Sequence, residues 1–168
     1  MSVDAPLVAV LVGTDHHPFD RLVRWIAEMS APGQMRWFVQ HGTTHLPAGL
    51  EGAPMLGPTE LQRLLSQADA VVSHGGPGLI MDARSFCHRP IVVARDPALG
   101  EHVDDHQQRF LEFVARREMV TPASSLSELA NAIRSAVVTD QRQVLASASG
   151  ATASARFGSL VAELLHRA

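Results

Sequence analysis

Lysine is absent from this 168-residue chain, and all 14 basic side chains are arginines. That absence excludes Schiff-base chemistry and the lysine of a phosphate-binding P-loop. Cysteine occurs once, at Cys87, so no internal disulfide can form and a reducing cytoplasm is the expected compartment. Cys87 falls between a predicted helix and a predicted strand, away from the polar loops, and reads as structural and not nucleophilic. A surplus of one charge is missing too: the formal net charge is −3, which advertises no nucleic-acid surface. Long apolar runs are lacking as well. The first, Leu7–Val12, is about six residues, too short for a secretory core or a membrane span. A soluble protein is expected, so work at a membrane would require another protein to hold it there.

What the chain does contain is apolar residues, 46% of the total, in a length that suits one domain with one good core. The whole chain, 1–168, is therefore read as a single domain, with no internal repeat. Short branched runs predict strands at Leu7–Val12, Met35–Gln40, Ala70–Ser73, Ile91–Ala94 and Met119–Val120. Helical spacing or helix-start signals predict helices at Phe19–Met29, Pro58–Gln67, Gly78–Phe86, Asp104–Arg116 and Ser125–Val138. The Gly- and Pro-rich stretch His41–Gly57 reads as loop with room for a short strand near Met55. An Ala/Ser-rich stretch at Ala146–Ala155 precedes a last helix ending near Leu165, so the closing helices span about 125–168. Alternating strands and helices of this kind call for an α/β domain, a parallel sheet covered on both faces. Ligands bind such sheets at the carboxyl ends of the strands. The loops opening at Gly13, Gly42, His74 and Arg95 are thus the ones to weigh.

The strongest local signal is Ser73-His74-Gly75-Gly76-Pro77-Gly78, between a strand and a helix. Glycines let backbone approach a ligand closely, and the helix start offers unpaired amides with about half a positive charge. Both favour a phosphate, to which His74 can add a hydrogen bond. A tight turn with no ligand is the plainer alternative, and the spacing is not that of the dinucleotide fingerprint. Asp82 follows one helical turn beyond Gly78, where a carboxylate can accept ribose hydroxyls or simply complement the helix dipole.

The second signal is the polar run from Gly100 to Gln108 that opens the next helix. Asp104 or Asp105 suits the N-cap, and the remaining amides and carboxylates suit the hydroxyls of a sugar. His102 and His106 have the i, i+4 spacing of a zinc pair. No third ligand stands out beside them, since His16, His17, His41 and His45 lie in other loops; surface or sugar-contacting histidines are the simpler reading. The third signal is Gly13-Thr14-Asp15-His16-His17-Pro18, whose Gly13 and Thr14 can face the same ligand. Gln40-His41-Gly42 has a weaker claim of the same kind.

Three ordered stretches together resemble a family. Val12-Gly13-Thr14 with Pro18-Phe19-Asp20, then Ala68 to Gly76, then Glu101-His102-Val103-Asp104-Asp105-His106-Gln107 are similar to the small members of glycosyltransferase family 28. Such members include the catalytic subunit of the split dolichol-pathway N-acetylglucosaminyltransferase and bacterial exopolysaccharide counterparts. The resemblance implies a single Rossmann-like domain, the C-terminal half of a GT-B glycosyltransferase, holding a UDP-sugar with no metal or other cofactor. It implies that His74 and the turn Ser73, Gly75, Gly76, Pro77 and Gly78 hold the pyrophosphate, with His74 and the helix start stabilising charge on the leaving UDP. Gly13 and Thr14 would face the donor, and Asp82 would stand where larger relatives carry a ribose-binding Glu. Asp105 with Gln107 or Gln108 or both would contact the donor's sugar, and Glu101 and His102 would belong to the same nucleotide-sugar site.

Two departures count against a full match: Pro77-Gly78 replaces a small residue followed by Ser, and Asp82 is one methylene shorter than Glu. They keep a second possibility open, a non-catalytic module that binds or scaffolds a nucleotide sugar. A metal-dependent hydrolase built on the histidine-rich loops is a third. The resemblance also implies a missing half, supplied by a membrane-anchored, acceptor-binding partner at the inner face of the plasma membrane. A homo-oligomer is compatible with the same sequence.

Overall fold

The computed structural model describes residues 5–103 and 106–139. The Ala/Ser-rich stretch, the last helix, Asp104 and Asp105 lie outside the described residues. In chain order the elements are β1 (Leu7–Leu11), α1 (Asp20–Met29), β2 (Arg36–Gln40), β3 (Glu51–Ala53), α2 (Pro58–Gln67) and β4 (Ala70–Ser73). They continue with α3 (Pro77–Ser85), β5 (Ile91–Val92), a 3-10 turn at Pro97–Leu99, α4 (His106–Ala115), β6 (Thr121–Pro122) and α5 (Leu126–Val138).

The six strands form one sheet in the order β3-β2-β1-β4-β5-β6, and every neighbouring pair is parallel. The chain winds outward from β1 to β3, returns past β1 to β4, and winds the other way to β6. Strands β1 and β4 are therefore neighbours whose outgoing connections diverge, and a crevice opens between their carboxyl ends.

Period-two alternation along β1 explains the two layers of helices. Val8, Val10 and Val12 face a core shared with Leu22, Val23 and Ile26 of α1 and with Leu129, Ile133 and Ala136 of α5. Leu7, Ala9 and Leu11 face the opposite layer, with Leu64 and Leu65 of α2 and Ala83 of α3. A third cluster joins Ile80 of α3 and Val114 of α4 to Val92, Met119 and Val120. Each fully buried aliphatic side chain here stabilises the fold by about 1.5–3 kcal/mol.

Local chemistry sets the element ends. Pro58 and Pro77 occupy first-turn positions of α2 and α3, where a missing N–H costs nothing. Ser125 caps α5 by accepting from the Glu128 amide at 3.2 Å, while the Glu128 carboxylate accepts from the Ser124 amide at 2.8 Å. Phe19 is the N-cap of α1 and not its first residue.

The strand expected at Ile91–Ala94 is shorter, Ile91–Val92, and two others are displaced. The last strand is Thr121–Pro122 and not Met119–Val120, because Met119 and Val120 are spent filling the α3–α4 layer. The sheet bonds belong to the later residues: the Thr121 amide donates to the Pro90 carbonyl at 3.0 Å and the Ala123 amide to the Val92 carbonyl at 2.9 Å. The short strand expected near Met55 is Glu51–Ala53, paired to β2, and Met55 itself is exposed.

Candidate functional site

The β4–α3 turn is built by its own backbone. Buried Ser73 ends β4, and its hydroxyl accepts from the Gly75 amide at 3.3 Å. Gly75 adopts φ +93°, a conformation that side-chain-bearing residues rarely adopt. Gly76 then caps α3, and the first-turn amides of Gly78 and Leu79 have no helical acceptor by construction. They open onto a crevice of about 520 Å³ between the ends of β1 and β4. Gly13, Thr14 and Asp15 line its β1 side, Gly76, Pro77, Gly78 and Asp82 its α3 side, and His74 and Gln107 its base.

His74 is the centre of this arrangement. Its ring sits between two glycines: a Cβ on Gly13 would lie 2.5 Å from Nε2, and one on Gly76 would lie 2.7 Å from Nε2 and Cε1. Both glycines are therefore required by the imidazole's position, whatever else they do. Burial pushes the His74 imidazole down to about 4, the Arg95 guanidinium adds to the depression, and Gln107 opposes it. His74 is thus neutral near pH 7, so its ring carries one N–H donor and one acceptor nitrogen, and it already shares a hydrogen bond with the Gln107 side chain. Among the described residues, buried His74 Nδ1 and Gln107 Oε1 have no hydrogen-bond partner. Orphaned polar atoms at the base of a crevice are groups suited to a polar ligand.

The β1 rim is pinned by side chains that the sequence reading underrated. Gln40 ends β2; its Oε1 accepts from the Gly13 amide and its Nε2 donates to the Gly13 carbonyl, both at 3.0 Å. The same Nε2 donates to the Pro54 carbonyl at 2.8 Å, so one amide ties the loops after β1 and β3 to the end of β2. Arg95 goes further. Its side chain is 1% exposed, and its guanidinium donates to the carbonyls of Val12 (3.1 Å), His17 (2.7 Å) and Glu101 (3.1 Å). It also lies over the Phe19 ring, 4.8 Å from the centroid. One buried cation therefore joins the β1–α1 loop to the β5–α4 loop. A charged residue straight after the apolar run Ile91–Ala94 was the available signal for it, and a polar residue closing an apolar strand was the signal for Gln40.

Several predicted residues stand elsewhere. Glu101 is buried, and its carboxylate accepts from Arg21 at 2.9 and 2.8 Å and from the Asp96 amide at 2.8 Å. It braces the β5–α4 loop to α1 and does not line the crevice. Ser73 and Gly75 shape the turn from beneath. Gln108 faces a separate depression with Arg21 and Asp96, so of the two glutamines it is Gln107 that turns toward His74. Asp105 lies outside the described residues. His102 precedes α4, so the spacing from His102 to His106 does not put the pair on one helical face.

Instead His102 Nε2 lies 3.8 Å from Asp15 Oδ2, across from the other loop. Partial burial pushes the Asp15 carboxyl up, but hydrogen bonds from the His17 amide and ring, with Arg95 nearby, outweigh it and bring Asp15 down to about 2. A larger depression of about 660 Å³ runs along the β3 edge beside α2, away from the β1–β4 switch point.

The comparisons with known proteins bear on the family and the fold. The sequence profile of the glycosyltransferase family 28 C-terminal domain matches residues 58–164. It begins after β3, so the Val12–Asp20 stretch lies outside it. No curated protein matches the chain. Among solved structures, the calicheamicin glycosyltransferase CalG4 shares 20% identity with a TM-score of 0.57, covering 98% of this chain and 44% of that one. The glycosyltransferase of kitacinnamycin shares 20% with a TM-score of 0.58, covering 99% and 41%. MurG of Acinetobacter baumannii shares 19% with a TM-score of 0.52, covering 84% and 46%. The chain spans less than half the length of each, one half of a GT-B fold.

Proposed function

This chain belongs to the family of glycosyltransferase family 28 C-terminal domains, and from that premise we propose that it is the donor-binding subunit of a glycosyltransferase. In this reading it holds a UDP-sugar and a separate partner supplies the acceptor-binding half. The observation that carries the proposal is the crevice at the β1–β4 switch point, with a helix start on one wall and the orphaned polar atoms of His74 and Gln107 at its base. The pyrophosphate accepts from the Gly78 and Leu79 amides and from the neutral His74 ring, while Thr14, Asp82 and Gln107 meet the rest of the donor. As the bond from the sugar to the diphosphate breaks, charge builds on the leaving phosphate oxygens. The α3 dipole and the His74 N–H stabilise that charge in place, so the transfer step itself needs no cofactor.

The acceptor is lipid-linked or a polysaccharide, and its attacking hydroxyl is deprotonated by a group of the partner. No helix among the described residues is long and apolar enough to cross a membrane. A membrane-anchored partner would bring this chain from the cytoplasm to the inner face of the plasma membrane. Replacing His74→Ala should weaken UDP binding in calorimetry by tenfold or more; unchanged affinity would remove the site from consideration. A second reading, a non-catalytic nucleotide-sugar-binding module, is favoured by the Pro77-Gly78 departure, which leaves no hydroxyl at the helix start. UDP binding without turnover, even alongside a membrane-anchored acceptor half, would select it.

A further inference from the structure

We propose that Asp15, His16 and His17 of the β1–α1 loop form a divalent-cation site at the rim of the crevice, of the kind zinc occupies, which His102 of the β5–α4 loop moves in to close. The ligand atoms of Asp15, His16 and His17 lie within 4.8 Å of one another. Asp15 Oδ1 is 2.7 Å from His17 Nδ1 and 3.7 Å from His16 Nδ1, and Asp15 Oδ2 is 3.8 Å from His102 Nε2. Ligands bound tetrahedrally at zinc's usual bond lengths stand about 3.4 Å apart, near the separations among Asp15, His16 and His17. His102, which approaches the other Asp15 oxygen with its ring centroid 6.1 Å from that of His17, swings inward to complete the set. Three imidazoles and one carboxylate are also the donor set that suits zinc, cobalt or nickel and that magnesium or calcium avoids.

The sequence kept these histidines in separate loops, and the tertiary structure brings them together. Arg95 donates to the carbonyl of His17 and to that of Glu101, the residue before His102. The two halves of the site are thus held in register by one buried guanidinium before any ion arrives. The His16 and His17 rings are already packed, with centroids 3.9 Å apart, although His16 is 82% exposed. Four protein ligands leave no open position, so the ion is a clamp and not a reactant. Bound there, it ties Asp15 on the crevice wall to the β5–α4 loop and stiffens the rim. This inference rests on side-chain geometry and does not depend on the donor being a nucleotide sugar.

The test is calorimetric titration of the chelator-stripped full chain with zinc chloride, in the absence of any nucleotide. One ion per chain is expected. His16→Ala and His102→Ala should each weaken binding at least tenfold, and the cobalt-loaded protein should lose its tetrahedral visible absorption in His102→Ala. His45→Ala, on the exposed loop after β2, should leave affinity unchanged. Absence of stoichiometric binding, wild-type affinity in both His16→Ala and His102→Ala, or an equal loss in His45→Ala would each overturn the proposal. Because no nucleotide enters the titration, its failure is separable from failure of the donor-binding reading.

Discussion

Two loops leave neighbouring strands at the same end of the sheet and are built by opposite means. The β4–α3 turn is backbone: glycines pack against an imidazole, and helix amides are left open for a ligand. The β5–α4 loop is side chain: Arg95 and the Arg21–Glu101 pair hold it to α1 and to the β1–α1 loop. The difference teaches where each loop is vulnerable. A turn that works through its backbone is damaged by added atoms, whereas a braced loop is damaged by removing them.

The largest expected effect follows from removing the brace. Arg95→Met deletes the hydrogen bonds to the carbonyls of Val12, His17 and Glu101 and leaves those acceptors unpaired, costing about 3–5 kcal/mol in urea unfolding. A loss under about 1 kcal/mol would mean that the two loops hold together without it. Adding one carbon to the turn's ceiling comes next. Gly13→Ala meets His74 Nε2 at 2.5 Å and must adopt φ +89°, so it should destabilise by about 2–3 kcal/mol and displace the ring. Neutral behaviour in a thermal melt would mean that the His74 ring is not held where the two glycines require it.

The pH dependence is somewhat smaller. His74 is held near 4 in the fold, below its ordinary value of 6.5, so the unfolded chain takes the proton first. Stability present above pH 6.5 is therefore lost as pH falls toward 4, by about 2 kcal/mol at pH 4.5. His74→Gln should remove that part of the slope, and equal slopes in the two proteins would show that another group is responsible. Gly78→Ser is the mildest change. No atom lies within 4 Å of a Cβ there, so stability should move by less than about 0.5 kcal/mol. The restored hydroxyl should tighten UDP binding a few-fold in calorimetry, and weaker binding would mean that the helix start does not meet phosphate.

Much of the frame was legible because it rests on local signals. Val8, Val10 and Val12 alternate with Leu7, Ala9 and Leu11, which is how a strand covered on both faces must read. Pro58 and Pro77 mark helix starts, and the glycines after Ser73 mark a turn that approaches something closely. Met119 and Val120 misled because buried apolar residues look alike in a strand and beneath a helix. Glu101 misled because a carboxylate in a polar loop looks the same whether it meets a sugar or Arg21.

The sequence by itself determined the alternating α/β order, the apolar faces and the phosphate-suited turn, since period, turn chemistry and helix starts are short-range properties. Only the tertiary structure decided which loops meet. Winding outward from β1 and back to β4 makes those strands neighbours, and it sets Gly13 against His74 across 61 positions of sequence. The choice of Gln107 over Gln108, the closure of Arg95 on two loops and the meeting of Asp15 with His102 follow from the same topology. Pairings at that separation depend on strand order and helix packing, which no local pattern encodes.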